Sequence, residues 1–302
     1  MQLSLLSLEK QLSTSTLTKV ENDHLNQHAV ELWIKRDDLL HPIVSGNKWR
    51  KLKHILRHAL AVNTHTLISM GGAYSNHLHA LAYIGKLLGL KTMGIIRGEK
   101  TPDTITPTLQ DALAWGMKLE FISRTDYRQL RQYSGWQDLP NQKPGQYWLP
   151  EGGAHTLALA GVAELLDEIE ISYDVLCVPC GTGTTLAGLI EAAPLNVKLI
   201  GFAALKHADF LVNDVKKHLS KNPANWSINF DYHFGGFAKT TDALTTFIKA
   251  FEQEQQVPLE PVYTGKMLYG IFDLIGKNYF KPGSRIIALH TGGLQGKRGF
   301  TT

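Results

Sequence analysis

The sequence contains little cysteine, little charge and no long apolar run. Two cysteines in 302 residues cannot make a disulfide scaffold, and they point to a reducing cytoplasm. The 31 basic and 27 acidic residues form no long run of like charge, so neither a nucleic-acid partner nor a polybasic membrane anchor is indicated. No apolar stretch reaches the roughly 18 residues of a membrane span. The first residues include Glu9, which argues against a secretory signal. At roughly 150 residues per domain, the chain has one or two globular domains.

Apolar runs of strand length alternate with segments of helical period. This alternation predicts an α/β chain with mostly parallel sheets. Strands are predicted at residues 32–36, 66–70, 92–97, 118–122, 174–179, 198–203 and 285–290. Apolar positions at three- and four-residue spacing predict helices over 47–62 and 75–88. Serine, glutamine, asparagine, proline and glycine gather over 124–145, which is expected to be a loop or a connection between domains.

Two lysines stand at the start of the first predicted helix. Lys48 and Lys51 are three residues apart and therefore share one helix face. Because a like charge disfavours the charged form of an amine, the pKa of each is expected to fall. A neutral amine can attack a carbonyl carbon and form a Schiff base. The alternative interpretation is a solvated basic helix start.

Two further loops follow apolar strands and open helices. In Gly71-Gly-Ala-Tyr-Ser-Asn-His77, Ser75 is a good N-cap, and the first amides of the helix suit an anion such as a carboxylate. An ordinary capped turn is the alternative. In Cys180-Gly-Thr-Gly-Thr-Thr185, successive N–H groups and hydroxyls would suit a phosphate at the positive end of a helix. No Gly-Lys-Ser/Thr follows, and Leu186 replaces the third glycine of a dinucleotide fingerprint, so a phosphate monoester is expected.

The fourth candidate is a pair of segments near the C-terminus, at residues 261–266 and 290–296. Thr291 and the two glycines after it would let a ligand ring lie against the backbone, although a simple turn is the alternative. Cys177 and Cys180 have redox spacing, but Cys177 lies inside a predicted strand, so two reduced, packed thiols are expected. The histidines show no His-Glu-x-x-His pattern, and no metal site is expected.

In this order, the four loops resemble the fold-type II pyridoxal-phosphate enzymes, the tryptophan synthase β-like family. Gly46-Asn-Lys48, Ser75-Asn-His77 and Pro261-Val-Tyr-Thr-Gly-Lys266 look like the branch that contains 1-aminocyclopropane-1-carboxylate deaminase and D-cysteine desulfhydrase. The resemblance implies two open, mostly parallel twisted sheets flanked by helices. It also implies a homodimer, a large cofactor-binding domain from residues 1–45 and 151–302, and a small α/β domain from residues 46–150 that carries Lys48 and the Ser75 loop.

The resemblance implies roles for individual residues. Lys48 holds pyridoxal 5'-phosphate as a Schiff base. Its phosphate is bound by Lys51 and by the loop residues Gly181, Thr182, Gly183, Thr184 and Thr185. Asn76 contacts the ring hydroxyl of the cofactor. The carboxylate of a small amino-acid substrate is received by Ser75, Asn76 and His77. Tyr74 stands where glutamine is expected in the substrate pocket.

Four residues are the candidates for catalysis: Lys48, Ser75, Tyr263 and Tyr232. Tyr263 would line the ring and the substrate side chain, with Tyr232 as a second active-site tyrosine. Thr264 and Thr291 are neutral candidates for the partner of the pyridine nitrogen. A neutral partner makes a milder electron sink, which favours expulsion of a good leaving group.

Family members that open the cyclopropane ring carry glutamate where this sequence has Thr264. We therefore expect a deaminase and lyase that acts by β-elimination on D-cysteine or a related D-amino acid, with pyruvate, ammonia and sulfide as products. The alternatives are hydrolytic deamination of the cyclopropane acid to 2-oxobutanoate, racemisation of an amino acid, and non-catalytic binding of pyridoxal phosphate or another phosphorylated ligand.

Overall fold

Helices and strands alternate along residues 4–101 and 104–300, the part of the chain described by this computed structural model. The strands in that part are β1 (Leu17–Lys19), β2 (Glu31–Lys35), β3 (Thr66–Gly71), β4 (Lys91–Arg97), β5 (Lys118–Ile122), β6 (Gln146–Leu149), β7 (Val175–Cys180), β8 (Lys198–Ala203), β9 (Trp226–Asn229) and β10 (Arg285–Leu289). The α-helices are α1 (Leu5–Glu9), α2 (Asp23–Gln27), α3 (Asn47–Ala61), α4 (Asn76–Leu88), α5 (Pro107–Ala114), α6 (Arg124–Leu130), α7 (Thr156–Ala163), α8 (Thr184–Ala192), α9 (Phe210–Lys216), α10 (Asp242–Gln255) and α11 (Thr264–Gly276). No helix in the described ranges is long and apolar enough to cross a membrane.

The larger sheet has six strands in the order β1-β2-β10-β7-β8-β9. Its pairs are parallel except for β1 with β2. Side chains of β10 alternate between two apolar cores, with Ile286 and Ala288 in one and Ile287 and Leu289 in the other. Such a sheet is buried on both faces, which explains the uninterrupted apolar run of β7.

The smaller sheet has four parallel strands in the order β5-β4-β3-β6. Strand β3 places Leu67 in the core beneath α3 and α4, and it places Ile68 and Met70 in a second cluster on the opposite face. All four strands lie between Thr66 and Leu149. The predicted division into domains at residues 45 and 150 stays a prediction, and its residues 1–3, 102, 103, 301 and 302 lie outside the described ranges.

The predicted strands and helices all occur, with ends that differ by at most one residue. Three short strands, β1, β6 and β9, were not predicted. The prediction of a loop over 124–145 is wrong in its first part, where α6 lies. Ser123 begins α6 by accepting a hydrogen bond from the N–H of Asp126 at 3.1 Å. This helix buries only Tyr127, so its polar sequence shows no apolar period.

Helix α3 is attached to both sheets. Trp49, Leu52 and Ile55 on one face lie in the core of the smaller sheet. Arg50 points elsewhere and donates to Asp37, which follows β2 of the larger sheet, with an Nη2–Oδ1 distance of 2.9 Å. Its guanidinium also donates to Glu168 at 2.7 Å. The buried ion pair with Asp37 and the partly exposed pair with Glu168 hold the start of α3 against the larger sheet.

Candidate active site

A cavity of about 540 Å³ lies where the four predicted loops meet. The described residues that line it include eleven of the predicted site residues: Lys48, Lys51, Ser75, Asn76, His77, Gly181, Thr182, Gly183, Thr185, Tyr263 and Thr291. Of the three others, Thr184 is fully buried, and its hydroxyl oxygen lies 3.0 Å from that of Thr182. Thr264 and Tyr232 do not line the cavity. Eleven of the fourteen predicted site residues therefore line one cavity, and the roles assigned to them stay predictions.

The backbone at Gly46 allows α3 to begin against the loop after β10. Gly46 has a φ of +64°, and a Cβ there would lie 1.9 Å from the carbonyl oxygen of Thr291. The N–H of Asn47 donates to that same oxygen at 3.4 Å. A side chain at position 46 would therefore separate Lys48 from the Thr291 loop.

Lys48 is held by its neighbour. Its Nζ donates to Oδ1 of Asn47 at 2.9 Å, and Nδ2 of Asn47 donates to Oγ1 of Thr185 at 3.0 Å. Burial lowers the pKa of the Lys48 amine to about 8, although the charge of Glu260 raises it. The direction of this shift is the one expected for a partly buried lysine, and desolvation is its main cause. An amine with this pKa is partly neutral near neutral pH.

The start of α8 presents unsatisfied donors to the cavity. Gly183 occupies its N-cap position with a φ of +75°, and no side chain caps the first turn. The first N–H groups of a helix have no acceptor within it, and in the described ranges those of Gly183, Thr184 and Thr185 have none elsewhere. Lys51 adds an amine whose Nζ lies 3.4 Å from Oγ1 of Thr182. Hydroxyls, amides and an amine are the donors that a phosphate needs.

The start of α4 presents a second set of unsatisfied donors to the cavity. Oγ of Ser75 accepts from the N–H of Leu78 at 3.2 Å and so caps the helix. The N–H groups of Asn76 and His77, the two residues before Leu78, donate to no acceptor in the described part of the chain. The hydroxyl hydrogen of Ser75 is also unused there. Two amides and one hydroxyl suit a carboxylate.

The imidazole of His77 cannot serve that carboxylate as a donor. Ser69 donates its hydroxyl hydrogen to the carbonyl of Leu149 at 2.8 Å, so Nε2 of His77 must donate to Oγ of Ser69, at 2.9 Å. Nδ1 is then an unprotonated acceptor, and it has no partner in the described structure. Burial, together with the charges of Lys48 and Lys51, holds the pKa of His77 well below its usual value. Only the backbone N–H of His77 can receive an anion.

Tyr263 lies over the loop that precedes α8. A Cβ on Gly181 would lie 3.2 Å from Oη of Tyr263, so glycine permits this contact. Burial is the main cause that raises the pKa of Tyr263, and the charges of Glu260 and Glu151 raise it further. The phenol therefore stays protonated and is able to donate a hydrogen bond.

The structure does not bring Tyr232 or Thr264 to the cavity. Tyr232 donates its hydroxyl to Asp273 at 2.6 Å, and its ring packs beside Phe202 and Tyr269. Oγ1 of Thr264 accepts from the N–H of Glu260 at 3.2 Å and donates to the Glu260 carboxylate at 3.1 Å. The predicted roles of Tyr232 as a catalytic tyrosine and of Thr264 as a partner of the ring nitrogen have no support in these contacts.

Three side chains at the site were not predicted. Glu260 is a buried carboxylate in the cavity wall, and Asn47 holds Lys48. Gln295 donates its Nε2 to Oδ1 of Asn76 at 3.0 Å. Asn47 and Gln295 lie inside segments that the sequence singled out, at 46–48 and 290–296, whereas Glu260 lies just before the segment 261–266.

Comparison with known proteins decides the family. A family model described as "Pyridoxal-phosphate dependent enzyme" matches residues 14–292. This chain belongs to the pyridoxal-phosphate-dependent enzyme family. A mitochondrial bifunctional D-cysteine desulfhydrase/1-aminocyclopropane-1-carboxylate deaminase of Arabidopsis thaliana is 31% identical over 300 residues, which cover 89% of this chain and 74% of the plant protein.

Two other relatives are similar over most of their length. A D-cysteine desulfhydrase of Klebsiella pneumoniae subsp. pneumoniae is 27% identical over 298 residues and matches 90% of this enzyme and 88% of its own chain. The crystal structure of an ACC deaminase homologue superimposes with a TM-score of 0.75 at 24% identity, covering 98% of this enzyme and 97% of that chain. The predicted fold, enzyme class and cofactor of this pyridoxal-phosphate enzyme are confirmed.

The donors of the cavity fit pyridoxal phosphate. The open start of α8 and Lys51 suit its phosphate, and the Lys48 amine, with its lowered pKa, suits its aldehyde. In the described part of the chain, no group of three histidine, cysteine or acidic side chains could hold a metal ion. Cys177 and Cys180 are free and buried, as predicted. Burial raises the pKa of Cys180 to about 12, so its thiol stays protonated.

Proposed function

We propose that this pyridoxal-phosphate enzyme catalyses β-elimination from D-cysteine or a related small D-amino acid. The observation that carries the proposal is one cavity that holds two anion-binding helix starts and an amine with a pKa of about 8. One anion site suits the phosphate of the cofactor, and the other suits the carboxylate of an amino acid. The names of the plant and bacterial relatives support D-cysteine as the substrate.

The cofactor is proposed to bind with its phosphate at Gly181, Thr182, Gly183, Thr184 and Thr185, beside Lys51. Lys48 carries it covalently. Asn76 faces the ring hydroxyl, and Thr291, a buried residue of the cavity wall, remains the candidate for the pyridine nitrogen. When bound, pyridoxal phosphate draws electrons from Cα of the amino acid and so makes its proton acidic.

The substrate carboxylate is proposed to bind at the start of α4, to the N–H groups of Asn76 and His77 and to the hydroxyl of Ser75. Binding there fixes Cα relative to Lys48. Nζ of Lys48 takes the proton from Cα as a general base, for which a pKa of about 8 is well placed.

The protonated phenol of Tyr263 is proposed to assist the leaving group. The Cβ–S bond breaks with its electron pair moving to sulfur, and Oη of Tyr263 donates a proton to that sulfur. The three-carbon enamine that leaves the site is hydrolysed by water. In sum, D-cysteine and water give pyruvate, ammonia and hydrogen sulfide.

Hydrolytic deamination of 1-aminocyclopropane-1-carboxylate is the second candidate, because the plant relative is named for both activities. In that reaction the cyclopropane acid and water give 2-oxobutanoate and ammonia. The substrate has no proton on Cα, so Lys48 could not begin the reaction as it does with D-cysteine. The two activities therefore make different demands on the same amine.

The test is a parallel assay of D-cysteine, L-cysteine, β-chloro-D-alanine and the cyclopropane acid with the purified enzyme. We expect pyruvate from D-cysteine and from β-chloro-D-alanine. Turnover of the cyclopropane acid alone would reverse the order of the two candidates. Loss of optical rotation without any keto acid would identify a racemase, and a yellow protein that turns over none of these compounds would identify a binding protein.

We also propose that the enzyme is a homodimer of the cytoplasm. The two free, buried cysteines support a reducing compartment. The dimer rests on the family resemblance, and light scattering on the purified protein tests it: a mass of 33.6 kDa would exclude the dimer.

A further inference from the structure

Glu260 is an acid of the cavity wall that the proposed reaction does not use. Only 1% of its surface is exposed, yet it lines the same cavity as Lys48 and Tyr263. A carboxylate in such a place is expensive to desolvate unless donors or cations compensate its charge. What surrounds Glu260 therefore decides whether it carries a charge at all.

Four donors surround the Glu260 carboxylate. Oε1 accepts from the N–H groups of Tyr263 and Thr264, at 2.8 and 2.5 Å, and from the hydroxyl of Thr264 at 3.1 Å. Oε2 accepts from the N–H of Val262 at 2.8 Å. Burial raises the pKa of Glu260, whereas the hydrogen bonds from Thr264, Val262 and Tyr263 lower it. Three of the four donors are backbone N–H groups, which can only donate, and they contact both carboxylate oxygens. The geometry therefore favours the anion.

Three of these bonds come from backbone N–H groups at the start of α11: those of Val262 and Tyr263, just before the helix, and that of Thr264, its first residue. Glu260 therefore also acts as a cap for α11. A cap needs no charge, because α4 begins at the same cavity with the neutral hydroxyl of Ser75. The bond to the N–H of Tyr263 does more than cap, since it fixes the backbone of the residue whose ring lies against Gly181.

Lys48 faces titratable groups from every element around the cavity. The titratable and charged side chains that line the cavity with Lys48 are Lys51 of α3, Tyr74, His77 of α4, Arg97 of β4, Arg131, Glu151, Cys180 of β7, Lys206, Glu260 and Tyr263. Glu151 pairs with Arg131 at 3.0 Å, and His77, Cys180 and Tyr263 are neutral for the reasons given above. Glu260 is the acid of this set whose charge raises the pKa of Lys48.

We propose that Glu260 is a positioning residue for the reaction, because it holds Tyr263 in place and supplies the negative charge that Lys48 faces. The proposal rests on the proposed function only in taking Lys48 as the reacting amine. A buried amine loses proton affinity through desolvation, and a nearby carboxylate restores part of it. Glu260 thus keeps the amine basic enough to take a proton from carbon.

The test is the pH dependence of the rate at which the cofactor-free protein binds pyridoxal phosphate covalently at Lys48. Absorbance follows the rate, and borohydride trapping with peptide mapping identifies the lysine. The wild-type rate is expected to rise with pH to a plateau, with a midpoint of about 8. In Glu260→Gln the midpoint is expected to fall by about one pH unit, the size of one charge removed at several ångströms in an effective dielectric of about 20.

Two further variants separate charge from capping. Glu260→Asp keeps the charge and is expected to return the midpoint toward that of the wild type. Glu260→Ser offers the neutral cap that Ser75 gives α4, and it serves if the Gln variant does not fold. If Glu260 only caps α11, the neutral variants will unfold at a lower temperature and the midpoint of the pH dependence will not change. That result would overturn the proposal. Failure of the proposed function shows separately, as a shifted midpoint in a protein that releases no pyruvate from D-cysteine.

Discussion

Helices α8 and α11 both begin at the wall of one cavity, and their first turns are satisfied in opposite ways. Helix α8 begins at Gly183 with no side-chain cap, so its N–H groups remain available to a ligand. Helix α11 begins under the carboxylate of Glu260, which accepts from three backbone N–H groups. One helix start therefore presents positive potential to the cavity, and the other is already neutralised by a buried negative charge.

This difference shows how two similar helix ends serve different purposes. A phosphate needs the unsatisfied amides and the dipole of α8, and a capping side chain there would compete with it. The amine of Lys48 needs a nearby negative charge, which the closed end of α11 supplies. Substitutions that place a carboxylate at the start of α8, or that remove groups near the start of α11, therefore test the difference between the two helix starts directly.

The largest effect is expected from removing the amine that lies between the two helix starts. Lys48→Met should lower pyruvate release by at least about 10³-fold, because both covalent attachment and the general base are lost. The cofactor-free variant should also unfold at a higher temperature, since the folded state no longer disfavours a protonated amine.

That stabilisation has a defined pH range. The pKa of Lys48 is about 8 in the folded state against 10.5 for the free amine, so the gain should be full below pH 8 and fade as the pH rises toward 10.5. Calorimetry across this range measures it. Lys53→Met is the matched control on the same helix, because Lys53 pairs with Glu164 outside the cavity. A stable Lys48 variant that keeps its activity would remove Lys48 from the mechanism.

The next effect concerns the residue at the start of α11. Tyr263→Phe should lower kcat for D-cysteine by about 100-fold, because the leaving sulfur loses its proton donor. β-Chloro-D-alanine is the matched substrate, since chloride leaves without a proton and its rate should fall far less. Equal losses with both substrates would show that the phenol positions the substrate and does not donate the proton.

A smaller effect, on cofactor affinity, is expected when the start of α8 is given a carboxylate, as Glu260 gives one to the start of α11. Thr182→Asp places a carboxylate beside Lys51 and the open N–H groups, so pyridoxal-phosphate affinity should fall by about 30-fold through like-charge repulsion. Thr182→Asn, of the same size but neutral, should lose much less. Equilibrium dialysis of both variants makes the comparison, and equal affinities would contradict a phosphate at this helix start.

The smallest effect is expected inside the cap of α11. Thr264→Val removes one of the donors to Glu260 and should lower the free energy of unfolding by about 1 kcal/mol. Activity should change less than about threefold, because the hydroxyl faces Glu260 and not the cavity. A large loss of activity at unchanged stability would restore Thr264 as a direct partner of the cofactor.

The residues that sequence alone revealed share a local pattern. Lys48 lies in the first turn of α3, the Ser75 loop joins β3 to α4, and the loop at 181–185 leads from β7 into α8. Small or capping residues mark the start of each of these helices. Such points lie at the carboxyl ends of the parallel strands in each sheet, where ligands commonly bind, so the pattern predicts site residues without any knowledge of long-range contacts.

The rest of the site depends on contacts that no local pattern carries. The role of Glu260 follows from the turn that folds Val262, Tyr263 and Thr264 over its carboxylate. The same turn draws the Thr264 hydroxyl away from the cavity, which is why its predicted role has no support in the structure. Tyr232 was assigned from its sequence neighbourhood, whereas its contact with Asp273 joins residues 41 positions apart.

The attachment of α3 limits how the enzyme can move. Its apolar face is buried in the core of one sheet, and Arg50 is locked to Asp37 and Glu168 beside the other. A hinge motion between the sheets at the start of this helix would have to break the buried ion pair with Asp37 and the partly exposed one with Glu168. Lys48, two residues before Arg50, therefore stands at a point that is fixed relative to both sheets.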